Sequence, residues 1–145
     1  MSATISRSRF NLPFTAAVAG ALVLSAGLAF AGDSKVSLVG ADEVPAVTTA
    51  ATGNGTITVN ADKSVTGSVT TKGITGTAAH VHLGAPGKNG PPVITLTKTS
   101  DTVWSIPAGS KLTDEQYASY KAGDLYVNVH SAEHKGGEIR AQLKP

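Results

Sequence analysis

Two histidines lie one residue apart in the segment Ala78-Ala-His-Val-His-Leu-Gly84. Side chains alternate across a β-strand, so residues two apart point the same way, about 6.5–7 Å from each other along the chain. If this segment is a strand, His80 and His82 therefore lie on one face. Two imidazoles at that spacing are able to reach one metal ion above the sheet.

A third histidine ends the segment Leu125-Tyr-Val-Asn-Val-His130. Its alternation assigns Leu125 and the two valines to the core and places His130 on the opposite, polar face, near a rim of the sheet. Together with His80 and His82 it would supply three nitrogen ligands for copper or zinc, with a water or a fourth ligand completing the coordination. The alternative is that the three imidazoles are solvated side chains on a polar surface.

Two further residues are weaker candidates for this site. His134 lies in the loop Ser131-Ala-Glu-His-Lys-Gly136 and is expected to be exposed. Glu138 shares one face of the last strand with Arg140, and the simplest prediction for them is a surface ion pair. Alternatively, either Glu138 or Arg140 is a partner that orients the ring of His130. No arrangement of a nucleophile with a general base stands out, so no catalytic residue is assigned.

The first 31 residues have the features of a signal peptide. Arg7 and Arg9 precede an apolar run over residues 14–28, and Ala29-Phe-Ala31 matches the pattern that signal peptidase cleaves. The run is short for a membrane span of about 20 residues. We predict cleavage after Ala31 and export to the periplasm or the medium, leaving residues 32–145 as one domain with no membrane span.

Charge and cysteine content narrow the possible partners of this predicted mature chain. Nine lysines and Arg140 face ten carboxylates, so the chain is nearly neutral and has no basic stripe for nucleic acid or an anionic membrane. Cysteine is absent, which excludes sites built on thiolates. A metal would have to be bound by nitrogen and oxygen.

Short β-branched segments punctuated by glycine are typical of an antiparallel sandwich or barrel. We predict an all-β fold, an antiparallel β-sandwich of Greek-key, immunoglobulin-like or superoxide-dismutase-like type, from about residue 34 to 144, with residues 32–35 frayed. One helix is predicted from Thr113 to Ala122, because Thr113 and Gln116 form a capping box and Gly123 suits a helix stop. Ile57 is expected to contribute less to the core than the other apolar residues. The predicted core residues are Ile94, Leu96, Trp104, Leu125, Val127, Val129, Ile139 and Leu143.

The successive blocks of the chain resemble the CHRD (chordin-type) domain. They are Leu38-Val-Gly-Ala-Asp-Glu-Val-Pro45, the segment 78–84, Leu112-Thr-Asp-Glu-Gln116, the segment 125–130 and Gly136-Gly-Glu-Ile-Arg-Ala-Gln-Leu143. The resemblance extends over essentially the whole predicted mature chain. It implies a secreted β-sandwich domain, known from bacteria and from the animal protein chordin. It also implies that the paired histidines and the Asn-Val-His block, here His80, His82 and His130, are family features.

A second similarity concerns copper–zinc superoxide dismutase. His-Val-His followed by glycine, with a late strand that ends in Val-His, is similar to the copper-ligand pattern of that enzyme. This chain lacks the disulfide cysteines, and no additional cluster of histidine and aspartate stands out to form the bridging zinc site. The comparison favours metal binding more than it favours dismutase activity.

Three functions are consistent with the sequence. The first is an exported CHRD-domain protein that binds a metal ion, copper or else zinc, through three histidines. The second is an extracellular β-sandwich that binds other extracytoplasmic proteins without a metal. The third is a copper redox enzyme related in chemistry to the dismutases. The absence of a recognisable general base favours a binding protein over an enzyme.

Overall fold

One antiparallel sheet of nine strands forms the body of the computed structural model, which describes residues 32–145. The predicted signal peptide lies outside the described residues. The strand order across the sheet is β5-β4-β8-β9-β1-β2-β3-β7-β6. The strands are β1 (Gly32–Val39), β2 (Thr52–Val59), β3 (Val65–Lys72), β4 (Gly76–Leu83), β5 (Pro92–Thr95), β6 (Thr97–Lys98), β7 (Val103–Ser105), β8 (Leu125–Ser131) and β9 (Ile139–Gln142).

The two edges of this sheet are consecutive in the chain. Only Leu96 separates β5, at one edge, from β6, at the other. The Leu96 N–H donates to the Ala79 carbonyl at 2.9 Å, while Thr97 pairs with Ser105. The edges must therefore lie next to each other, so the sheet curls until it is nearly a barrel around one core. The predicted all-β antiparallel fold with one helix is confirmed, and its two layers belong to one continuous sheet.

The first strand begins earlier than the sequence predicted. Residues 32–35 were expected to fray, but Gly32 already pairs with Val59, and the register with β2 continues without a break to Val39. Tyr120 also donates its hydroxyl to the Gly32 carbonyl at 3.3 Å. Antiparallel pairing along the whole of β2 supplies partners that local sequence composition does not reveal.

The helix α1 (Asp114–Ala122) forms as predicted. Thr113 Oγ1 accepts from the Gln116 N–H at 3.1 Å, and Gln116 Oε1 accepts from the Thr113 N–H at 2.9 Å, which completes the capping box. Gly123 ends the helix with φ of 81°, a left-handed conformation that glycine adopts without steric penalty. The helix leads directly into β8, whose first residue is Leu125.

The core lies inside the curled sheet and contains all of the predicted residues. Leu125, Val127, Val129 and Ile139 are fully buried. Ile57 is fully buried as well, so the expectation that it contributes less is wrong. The threonines of β2 suggested a partly solvated strand. In the structure the curled sheet encloses the face of β2 on which Ile57 lies.

Among residues 32–145, no helix is both long enough and apolar enough to cross a membrane.

Truncation of a core residue tests this architecture. Leu125→Ala or Ile139→Ala should lower the free energy of unfolding by about 2–5 kcal/mol, because each removes side-chain atoms from a fully buried site. Urea denaturation followed by tryptophan fluorescence measures the change. Thr66→Ala, at an exposed position of β3, is the control and should change stability by less than about 0.5 kcal/mol. A similarly small loss at Leu125 would mean that this face is not the core.

Candidate metal centre

The register between β4 and β8 brings the three predicted ligands together. His82 pairs with Tyr126, His80 with Asn128, and Ala78 with His130. Because alternate residues share a face, these side chains all lie on the outer face of the sheet, opposite the core. His130 is thereby the diagonal neighbour of His80, a separation that long or aromatic side chains span.

The distances between the imidazoles are those of a common site. His80 Nδ1 lies 3.0 Å from His130 Nε2, and one ligand nitrogen from each of the three rings lies within 4.8 Å of the others. Two nitrogens bound to one ion at about 2.0–2.1 Å are themselves separated by roughly 3–3.4 Å. The nitrogens of His80 and His130 already have this spacing. A small movement of the His82 ring would bring its nitrogen to the same distance from them.

Backbone carbonyls orient two of the rings. His82 Nδ1 lies 2.8 Å from the Gly90 carbonyl, and His130 Nδ1 lies 2.9 Å from the Lys135 carbonyl. A carbonyl oxygen only accepts, so each Nδ1 must carry a proton and donate it. In the neutral ring the lone pair then resides on Nε2, the atom available to a metal.

Burial leaves part of this site without hydrogen-bond partners. His82 and His130 are 8% and 9% exposed, and His80 is half-buried. Within residues 32–145, His82 Nε2 and Asn128 Oδ1 are buried and have no hydrogen-bond partner. Buried polar atoms are nearly always paired, so such orphans require an explanation. An ion bound to the free lone pair of His82 provides one, and the donor set therefore fits a metal.

The electrostatic environment keeps two imidazoles neutral. Burial is the largest cause that lowers the pKa of His80, followed by the neighbouring charges of His130 and His82. Burial also lowers the pKa of His82; the Gly90 hydrogen bond opposes this, and the positive charge of Arg140 adds to it. Both rings are thus neutral at pH 7, each with one N–H and one lone pair, the form that metal binding requires.

Tyr126 and Arg140 form a stack that supports His82. The Tyr126 ring lies parallel to the His82 ring, at 3° and a centroid distance of 4.9 Å. The Arg140 guanidinium carbon lies 3.4 Å from the centroid of the Tyr126 ring, a cation–π contact in a buried setting. The His82 ring is therefore held by stacking as well as by its hydrogen bond to Gly90.

Arg140 also fixes the loop 84–91 that covers this face. Its Nη2 donates to the Lys88 carbonyl at 2.8 Å, and its Nη1 donates to Asn89 Oδ1 at 3.2 Å. With 1% of its surface exposed, Arg140 is a buried residue. The predicted surface ion pair with Glu138 is wrong, because the curl of the sheet and the loop bury both side chains and direct them to different partners.

Glu138 and His134 lie outside the three-histidine cluster. Glu138 Oε1 accepts from Thr49 Oγ1 at 2.7 Å, and the partner of His130 Nδ1 is instead the Lys135 carbonyl. His134 is half-buried, and its backbone carbonyl accepts from the N–H groups of Ser131 and Gly137. It lines a separate surface pocket of about 430 Å³, together with Glu43 and Asn89.

Sequence reasoning missed several residues of this centre. The roles of the Gly90 and Lys135 carbonyls as hydrogen-bond acceptors could not be predicted, because every residue has a backbone carbonyl. Strand alternation already placed Tyr126 on the same face as His130. The position of Arg140 over the Tyr126 ring could not be predicted, because it depends on how the strands pair in the folded protein. The Glu43 side chain, in a residue that is 5% exposed, accepts a hydrogen bond from Asn128 Nδ2 at 3.4 Å, and burial raises the pKa of its carboxyl above the ordinary value.

A family model described as the CHRD domain matches residues 34–143 of this chain. The chain belongs to the CHRD-domain family. The match includes all of β2 to β9 and the three histidines of the cluster. Membership in the CHRD family supports an extracellular β-sandwich domain. No curated protein and no solved structure matches the chain.

Acidification should destabilise the metal-free protein through these histidines. Because the pKa values of His80 and His82 are lowered in the folded state, the unfolded chain binds more protons as the pH falls below about 6.5. Stability should be flat above pH 7 with respect to these groups and fall from about pH 6.5 downward. Urea titrations between pH 7.5 and 5.5 measure this slope.

The matched variants are His80→Gln and Glu43→Gln. His80→Gln should make the slope shallower, since one titrating ring is removed. Glu43 has a raised pKa, so its own contribution has the opposite sign and is lost as the pH rises above about 4.5. Glu43→Gln should therefore leave the histidine slope in place or steepen it. A slope that is unchanged in His80→Gln would contradict the prediction.

Proposed function

We propose that this protein is an exported CHRD-domain protein that binds a copper ion through His80, His82 and His130. The observation that carries the proposal is the convergence of three imidazole nitrogens within 4.8 Å, one of which is buried and has no hydrogen-bond partner in the described part of the chain. Export is supported by the predicted signal peptide over residues 1–31 and by the family. A periplasmic or a secreted location is equally compatible with both.

The choice of copper follows from the donor set. The site supplies nitrogen only, and imidazole suits copper, zinc, nickel and iron. Affinity in the divalent series peaks at copper, so copper outcompetes the others at equal supply. Zinc is the alternative ion, because a tetrahedral site of three histidines and a water is also a zinc arrangement. With either ion, burial would keep His80 and His82 neutral, and the carbonyls of Gly90 and Lys135 would orient the rings of His82 and His130.

Single histidine variants test the site. His80→Ala, His82→Ala and His130→Ala should each weaken copper binding more than about 100-fold, because even loss of a residue that only orients a ligand weakens metal affinity about 10–100-fold. His134→Ala is the matched control and should bind as the wild type does, since it lies outside the cluster. Isothermal titration calorimetry of the four variants gives the affinities, and circular dichroism confirms that each is folded.

Two results would contradict the proposed site. Binding of similar, weak affinity in all four variants would mean that the histidines are solvated side chains, and the copper proposal would fall. A weakening by His134→Ala as large as that by His82→Ala would move the site to the loop 131–136.

Copper should also raise the melting temperature of the wild-type protein. An ion that binds only the folded state stabilises it by about 2.7 kcal/mol at a free concentration of 100 times Kd. For a domain of this size that corresponds to a shift on the order of 10 °C. Differential scanning calorimetry with and without copper measures it. His82→Ala should show no such shift, and a wild type whose melting temperature is indifferent to copper would contradict the proposal.

A second candidate function is recognition of another extracellular protein, which membership in the CHRD family is compatible with. The same titrations separate the two candidates, because a domain that only binds proteins has no reason to bind one equivalent of copper tightly. A copper enzyme would be recognised by turnover of superoxide in the copper-loaded wild type that is lost in His80→Ala.

A further inference from the structure

The three imidazoles lie among neutral partners. The acceptors of His82 Nδ1 and His130 Nδ1 are the carbonyls of Gly90 and Lys135. In many metal sites a carboxylate accepts this bond and makes the imidazole a more basic, partly anionic ligand. Here no ligand and no hydrogen-bond acceptor of a ligand carries a negative charge. The ion would therefore receive no charge compensation from its immediate surroundings.

The positively charged guanidinium of Arg140 is separated from the His82 ring only by the ring of Tyr126. Arg140 contacts Tyr126 at 3.4 Å, and Tyr126 stacks on His82. The guanidinium stays charged at all relevant pH values. Its hydrogen-bond partners are uncharged: the Ala85 and Lys88 carbonyls and the side-chain oxygens of Asn89 and Gln142. Among residues 32–145, no carboxylate forms an ion pair with Arg140.

The two buried carboxyl groups of this region do not contact the imidazoles. Glu43 accepts from Asn128 Nδ2 at 3.4 Å, and Glu138 accepts from Thr49 Oγ1. Neither is a member of the ligand cluster, although the Glu43 carboxyl is close enough to Arg140 for the two charges to attract each other. The centre thus combines neutral donors, low exposure of His82 and His130, and a nearby cation.

Such surroundings discriminate by the charge of the ion. The idealised penalty for moving an ion from water into a protein interior grows with the square of its charge, so it is about fourfold larger for a divalent ion than for a monovalent one. Repulsion by Arg140 is about twice as large for the divalent ion. The softness of the donor atoms does not determine which ion is preferred. Imidazole is intermediate between the thiolates that select cuprous ions and the oxygens that select hard ions.

We propose that this centre selects the cuprous ion over cupric and zinc ions. The inference rests on the proposed copper function and goes further, since it names the charge state of the ion. It follows from the neutral donor set and from the guanidinium of Arg140, which forms no ion pair within residues 32–145.

The affinities of the full chain for the three ions test the proposal directly. Cuprous ion is measured without oxygen against a chromophoric cuprous chelator, and cupric and zinc ions are each measured against a chelator of known affinity. The expected result is a dissociation constant for the cuprous ion at least tenfold below those for the cupric and zinc ions.

Ala78 offers a way to change the charge without disturbing the core. It is half-buried, lies on the same face as His80 and pairs directly with His130. Directly paired residues have Cβ atoms about 4.5–5.5 Å apart. Ala78→Asp therefore adds a carboxylate beside the centre, and Ala78→Asn adds the same shape without the charge.

Relative to Ala78→Asn, the Ala78→Asp variant should shift the ratio of cupric to cuprous affinity about tenfold or more toward the cupric ion. An equal ratio in the two variants would overturn the charge argument. Wild-type affinity for cupric or zinc ions that matches or exceeds that for the cuprous ion, and that His82→Ala removes, would overturn this inference and leave the proposed function standing. Binding of no ion, or equal binding in His82→Ala, would overturn both.

Discussion

The pairing of β4 with β8 is the constraint on which the rest of this structure depends. Its register sets Ala78 against His130 and His82 against Tyr126, and a shift by one residue would exchange the faces of one strand relative to the other. The apolar residues of β8 fill the core and pin this register, because each alternate residue from Leu125 to Val129 is fully buried. The same packing that stabilises the barrel-like sheet therefore places the three imidazoles, and stability and site geometry cannot be changed independently.

A second buried layer lies on the outer face of the sheet. All seven residues of β8 are buried, although only every second one faces the core. The segments 40–47, 84–91 and 132–138 contact the remaining residues, Tyr126, Asn128 and His130, through hydrogen bonds. Burying polar groups is unfavourable unless they are paired, and Arg140 supplies much of that pairing by donating to the loop 84–91. The loop in return brings the Gly90 carbonyl to His82.

This arrangement explains why the candidate site has few charges. A loop that folds back over a sheet presents backbone carbonyls, which accept hydrogen bonds without adding negative charge. Gly90 is confined to this role by space, because a Cβ there would meet the Leu83 carbonyl oxygen at 1.6 Å. The orientation of the imidazoles is thus a property of loop backbone, and the neutral character of the centre follows from it.

Much of this protein was determined by local sequence. The capping box at Thr113, the glycine stop at Gly123 and the alternation of β8 depend on neighbouring residues, so the helix, the all-β class and the shared face of His80 and His82 could be predicted. The convergence of His130 on that pair could also be proposed, because alternation fixes its face. What joined them was the register, which depends on residues some 50 positions apart.

The tertiary structure alone decided how deep these residues lie and which groups they contact. Arg140 and Glu138 resemble a surface pair in sequence, because alternation reports which face a residue occupies and not whether a loop covers that face. The early pairing of Gly32, the full burial of Ile57 and the carbonyl partners of His82 and His130 likewise come from segments distant in the chain. Sequence specifies the face of each side chain through the period of the strand, whereas burial and hydrogen-bond partners arise only when the sheet curls and its loops close over it.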